Sequence, residues 1–125
     1  MNETEYRVVD GHVEVLAGDE LLWRGDVDGL VAYRAIALPD TNDGIVVMDW
    51  SHRPPGVEDW HPFPNLLRIR PDGNPVWTAE LPLRLGEKCY TGIEWRDGKL
   101  IGFLWANAAE LDPATGAVRR SWFKK

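Results

Sequence analysis

The chain has a single cysteine, Cys89, among its 125 residues, so no intrachain disulfide can brace it, which suits a reducing compartment. Around it, Glu87-Lys88-Cys89-Tyr90 offers only Lys88 to lower a thiol pKa, and the Cys-Gly-Ser/Ala-Cys context of papain-like enzymes is missing. A half-buried structural thiol is expected. No run of 18 apolar residues occurs, and the acidic opening MNETEYRVVDG lacks the basic flank and apolar core of a secretory signal; a cytoplasmic protein without a membrane partner is expected.

Cations are also scarce. Fourteen Lys and Arg stand against 20 Asp and Glu, a formal net charge of −6. That balance repels nucleic acid, for which RRSWFKK at 119–125 is too short a patch, and favours a basic protein partner. No Gly-rich phosphate loop, Gly-x-Ser-x-Gly elbow or Cys-x-x-Cys pair appears, and no cofactor is expected. Long amphipathic helices are excluded as well, because no 11-residue stretch keeps the i, i+3, i+4, i+7 pattern free of Gly or Pro.

What is present reads as one all-β domain over 1–125. Hydrophobic residues make up 44% and charged residues 27% of the chain, enough apolar surface for one compact core. Turn pairs recur at Asp10-Gly11, Gly18-Asp19, Asp28-Gly29, Asp43-Gly44, Asp72-Gly73, Asp97-Gly98 and Thr115-Gly116, where positive φ is cheap. Between them lie short alternating or β-branched runs: HVEVL, YRAIAL, GIVVMDW, LLRIR, YTGIEW, KLIGFLW and AVRRSWF.

These runs repeat. Asn65 aligns on Asn107 at an offset of 42, Tyr33 on Tyr90 at 57 and Trp50 on Trp105 at 55, in preserved order. VEVLAGDELLW aligns without gaps on LRIRPDGNPVW, pairing Val15 with Ile69 and Trp23 with Trp77, and Trp122 closes the last copy. The spacing predicts a partial unit at 5–23 and four-stranded units at 31–77 and 88–122. Trp23, Trp77 and Trp122, like Trp50 and Trp105, are expected to pack unit against unit.

AELDPATGAVRRSW and LRIRPDGNPVW resemble the repeats of β-propellers of the pyrroloquinoline-quinone-like and gluconolactonase/NHL type, with an Asp-x-x-Thr-Gly or Asp-Gly turn after the third strand and a Trp on the fourth. The resemblance implies about three propeller-like blades, the first incomplete. It departs at Glu110, where a small residue is favoured, and in the longer Gly116–Trp122 segment, so quinone and nucleotide cofactors do not carry over. An antiparallel sandwich or barrel is the alternative fold. Three blades cannot close a ring of the usual 4 to 8, whereas two copies supply six, so a homodimer is expected, with the amino-terminal strand exchanged to complete a blade.

The offset falls from 55 to 42 within the second unit, marking an insertion of 13 residues inside SHRPPGVEDWHPFP at 51–64. In the families it resembles, connections between second and third strands lie on the binding face, and long loops in compact domains tend to carry function. This loop supplies the candidate contact residues His52, Arg53, Glu58, Asp59, Trp60 and His61. Trp60 does not recur and can both stack and donate a hydrogen bond, so it leads as a partner contact. His52 and His61 with Asp49 are a possible metal set, but His-x8-His matches no established spacing. Two functions follow: a non-enzymatic binding module, such as an immunity-type partner of a basic protein or a receptor for a small ligand, and, as the alternative, a metal-assisted hydrolase or lactonase using His52, His61 and nearby carboxylates.

Overall fold

A computed structural model describes residues 4–58, 60–82 and 85–124. Among these residues eleven strands form three antiparallel sheets in chain order. The first has three strands: β1 (Thr4–Val9), β2 (His12–Ala17) and β3 (Glu20–Gly25). The second has β4 (Ala32–Ala37), β5 (Gly44–Met48), β6 (Leu66–Ile69) and β7 (Pro75–Thr78). The third has β8 (Gly92–Arg96), β9 (Lys99–Phe103), β10 (Asn107–Leu111) and β11 (Val118–Phe123). Within each sheet the strands pair with their sequence neighbours, and among the described residues no sheet closes on itself, so the barrel alternative does not hold. Among the described residues no helix is long and apolar enough to cross a membrane.

The second sheet is covered on both faces, which explains why β5, Gly-Ile-Val-Val-Met, is buried throughout. Ile45 and Val47 join Leu66 in a cluster with Ile93, Leu100, Ala109 and Leu111 of the third sheet. Val46 and Met48 point the other way and join Leu67 and Ile69 against Tyr6, Val13 and Val15 of the first. Each large side chain fully buried there contributes about 1.5–3 kcal/mol.

Asp-Gly turns form as the sequence predicts at Asp10-Gly11, Asp28-Gly29 and Asp97-Gly98, where both residues have positive φ. Asp43-Gly44 differs. Gly44 begins β5 with no positive φ, and it is glycine because a Cβ there would run into the Tyr6 ring.

Two joints between sheets are alike. Trp23 of β3 lies over Gly73 in the β6–β7 turn, and Trp77 of β7 lies over Gly116 in the β10–β11 turn. Trp77 also donates its indole N–H to the Pro113 carbonyl, at 2.9 Å. Both tryptophans directly follow a bulge in their strand, Trp23 across from Val15 and Trp77 across from Arg68.

That register corrects two expectations. Val15 corresponds to Arg68 and not to Ile69, because a one-residue slip turns a strand's side chains to the opposite face. In the third sheet the corresponding residue is Arg120, across from Glu110 beside the bulge, while Trp122 lies across from Ala108. The longer segment after Gly116 moves Trp122 two residues along the same face.

Candidate functional site

The connection between β5 and β6 is held at both ends. Asp49 caps a 3-10 turn at Trp50–His52, its carboxylate accepting from the Ser51 N–H at 2.9 Å. At the far end the Phe63 N–H donates to the Lys88 carbonyl at 2.7 Å, and the Asn65 carbonyl accepts from the Met48 N–H at 2.7 Å. Asn65, with no solvent exposure, donates its amide to the carbonyls of Met48 and Tyr90, each at 2.8 Å, and accepts from the Tyr90 N–H at 2.7 Å. One side chain thereby ties the base of the loop to the chain entering the third sheet.

Within the loop the candidate residues are held by their own neighbours. Arg53 folds back, donating to the Val57 carbonyl at 2.8 Å and to the Trp50 carbonyl at 3.3 Å, with its guanidinium 4.5 Å from the Trp50 ring centre. His52 Nδ1 stands 3.2 Å from Asp49 Oδ2. His61 Nδ1 accepts from the Glu58 N–H at 2.9 Å, which fixes the neutral tautomer with its proton on Nε2. Trp60, 66% exposed, lies against the His61 ring at 3.9 Å between centres. Asp59 lies outside the described residues. His52 and Asp49 are thus brought together, and His61 is turned to the Glu58 backbone; among the described residues no three His, Cys, Asp or Glu side chains gather to hold a metal ion.

Beside the loop, the ends of the second and third sheets enclose a cleft of about 220 Å³. Its walls include Tyr33, Trp50, Tyr90 and Trp105, with Asp49 and Cys89. The two aromatic pairs that recur in the sequence therefore converge on one place. Trp105 is 68% exposed, so it does not pack sheet on sheet as expected. Its backbone is fixed from below: the buried Glu87 carboxylate accepts from the N–H groups of Trp105 and Ala106, at 3.1 and 2.9 Å, and from the Asn107 amide at 2.6 Å. Both Trp50 and Trp105 stand just past a second strand, but Trp50 is half-buried against Phe63 and the cluster shared by the first and second sheets, as expected, whereas Trp105 on the terminal sheet is left uncovered.

The thiol and hydroxyl groups lining the cleft are held by burial and hydrogen bonds. Cys89 is fully buried and not half-buried, and burial pushes its thiol up, only partly offset by a hydrogen bond involving Trp105. Burial likewise raises the Tyr90 phenol, with the Glu80 carboxylate adding to the effect, and its O–H donates to the Glu80 carbonyl. The Thr91 hydroxyl faces the carbonyls of Phe103 and Leu104, each at 3.3 Å. The cleft offers π faces, one carboxylate and fixed backbone, a set suited to binding.

No curated protein matches the chain. A family model described as a domain of unknown function, DUF7957, matches residues 35–123, from within β4 to the end of β11, leaving the first sheet outside the match. The chain belongs to this family.

Proposed function

We propose that this protein is a non-enzymatic interaction module of propeller-like blades, completed to six as a homodimer, that receives a cationic side chain of a basic protein in its aromatic cleft. The observation carrying this reading is the convergence of Tyr33, Trp50, Tyr90 and Trp105 on a cleft with Asp49 in its wall. Cations are attracted to aromatic faces, and Trp50 and Tyr33 already carry the guanidinium groups of Arg53 and Arg34 at 4.5 and 5.7 Å. The net charge of −6 favours the same class of partner over a distance. Trp60, exposed on the adjoining loop, extends the contact surface. An immunity-type protein that neutralises a basic enzyme is one form such a module takes.

The test is titration of the tryptophan fluorescence with N-acetyl-arginine amide and N-acetyl-lysine amide, with N-acetyl-glutamate amide as the anionic control. A saturable change with the cationic probes, lost in Trp105→Ala, is expected. No saturable change, or an equal one with the anionic probe, contradicts the reading. Stoichiometric metal in the purified protein that is lost in His61→Ala would favour the metal-assisted hydrolase instead.

A further inference from the structure

Two sheet-to-sheet joints in the chain are complete, and each end of the stack carries half of a third. In the complete joints a tryptophan covers the glycine of the next sheet's outer turn, Trp23 on Gly73 and Trp77 on Gly116. The corresponding turn of the first sheet, between β2 and β3, contains Gly18, and nothing lies within 4 Å of where its Cβ would stand. The corresponding outward position of the third sheet is Arg120, beside Trp122 and the exposed edge of that sheet.

We infer that the outward face of the third sheet docks on the first sheet of a second copy of this chain, with Arg120 and Trp122 seated against the Gly18-Asp19-Glu20 turn. The inference rests on the six-blade reading above and names the surface that would complete it. The face has an apolar floor of Ile101, Phe103 and Ala108 around a cavity of about 320 Å³, rimmed by three cations, Arg96, Lys99 and Lys124, against one carboxylate, Asp97. The opposing surface is acidic: residues 4–30 hold seven carboxylates and two arginines, whereas residues 92–124 hold four carboxylates and five lysines and arginines. Both arginines of the first sheet are already engaged by Glu14, Arg7 at 2.8 Å and Arg24 at 3.2 Å, so the turn keeps its negative charge for the partner. Exposed Leu21 and Leu22 beside the turn supply apolar contact for Trp122. A two-fold dimer uses each face once per chain, forming two identical joints, the commonest closed arrangement.

The test uses charge reversal on the full chain. Wild-type protein should sediment at twice its 14.2 kDa mass at micromolar concentration. Glu20→Arg and Arg120→Glu each place like charges across both joints and should weaken the dimer by about a hundredfold. An equimolar mixture of the two variants should recover a dimer, because the mixed pair has one native joint and one reversed joint, both complementary. Since Arg120 also pairs with Glu110, unfolding midpoints accompany each measurement; should Arg120→Glu fail to fold, Glu20→Arg and Trp122→Ala, both on exposed sites, carry the test. A wild-type monomer overturns the six-blade reading and this joint together. A dimer indifferent to Glu20→Arg and Trp122→Ala overturns the joint alone, and cleft binding, read by fluorescence, is independent of either result.

Discussion

The connections from β5 to β6 and from β9 to β10 are closed by the same backbone bond, Met48 N–H to the Asn65 carbonyl and Leu104 N–H to the Asn107 carbonyl, yet one encloses the long Pro-rich loop and the other only Trp105 and Ala106. Both leave the second strand through a tryptophan and re-enter through an asparagine. The difference lies in what the asparagine reaches. Asn65, between two sheets, ties the second sheet to the third through Tyr90. Asn107, on the terminal sheet, meets Glu87 of the preceding segment. A shared closure can thus carry an insertion without changing the strands, and its lateral bond reports whether another sheet follows.

The largest way to break this comparison is at the asparagines themselves. Asn65→Ala strands a buried N–H and two carbonyls and should cost about 3 kcal/mol, whereas Asn107→Ala should cost about 1–2 kcal/mol because Glu87 keeps two backbone donors. Urea denaturation at neutral pH measures both, and an equal or larger loss at Asn107 would remove the distinction between interior and terminal sheets.

Next come the turn glycines. Gly116→Ala meets the Trp77 ring and has a φ of +79°, so about 2–3 kcal/mol is expected from overpacking and left-handed strain combined. Gly18→Ala, with a φ of +62° and open space around it within its own chain, should cost about 1 kcal/mol from strain alone when measured at concentrations dilute enough to keep the chain monomeric. The difference between the two variants, by the same denaturation, reports the tryptophan cover; equal costs would mean the joint does not resist the added methyl.

A smaller effect concerns the terminal sheet in acid. The Arg120 hydrogen bond holds the Glu110 carboxyl below the usual carboxylate range, against a desolvation that acts to raise it. A depressed folded pKa stabilises above the unfolded value and is lost as pH falls through the folded one. Wild-type protein should therefore lose more stability than Glu110→Gln between about pH 5 and pH 2, and parallel acid transitions would show the pair to be inert. Smallest of all, Trp60→Ala should leave stability within about 0.5 kcal/mol, since the side chain is exposed, while reducing partner binding.

Much of the strand and turn pattern was legible in the sequence, because Gly and Asp-Gly punctuation and β-branched runs report local backbone preference. The long loop showed itself as a change of offset, and the asparagines at its end and at Asn107 as an anchor. Register was not legible: a gapless alignment puts Val15 on Ile69, and only the bulge beside Arg68 shows that the true partner faces the other way. The same holds for Trp122, displaced from the joint position by the longer turn before it. The cleft was half legible, since Tyr33 with Tyr90 and Trp50 with Trp105 were visible as recurring pairs, but that they meet at one place depends on how two sheets stack.

Small-angle X-ray scattering across micromolar concentrations tests most directly whether a second copy closes the stack. A particle of twice the 14.2 kDa chain mass, with the distance distribution of a flat disc, is the expected result. A single-chain mass at every concentration would contradict it.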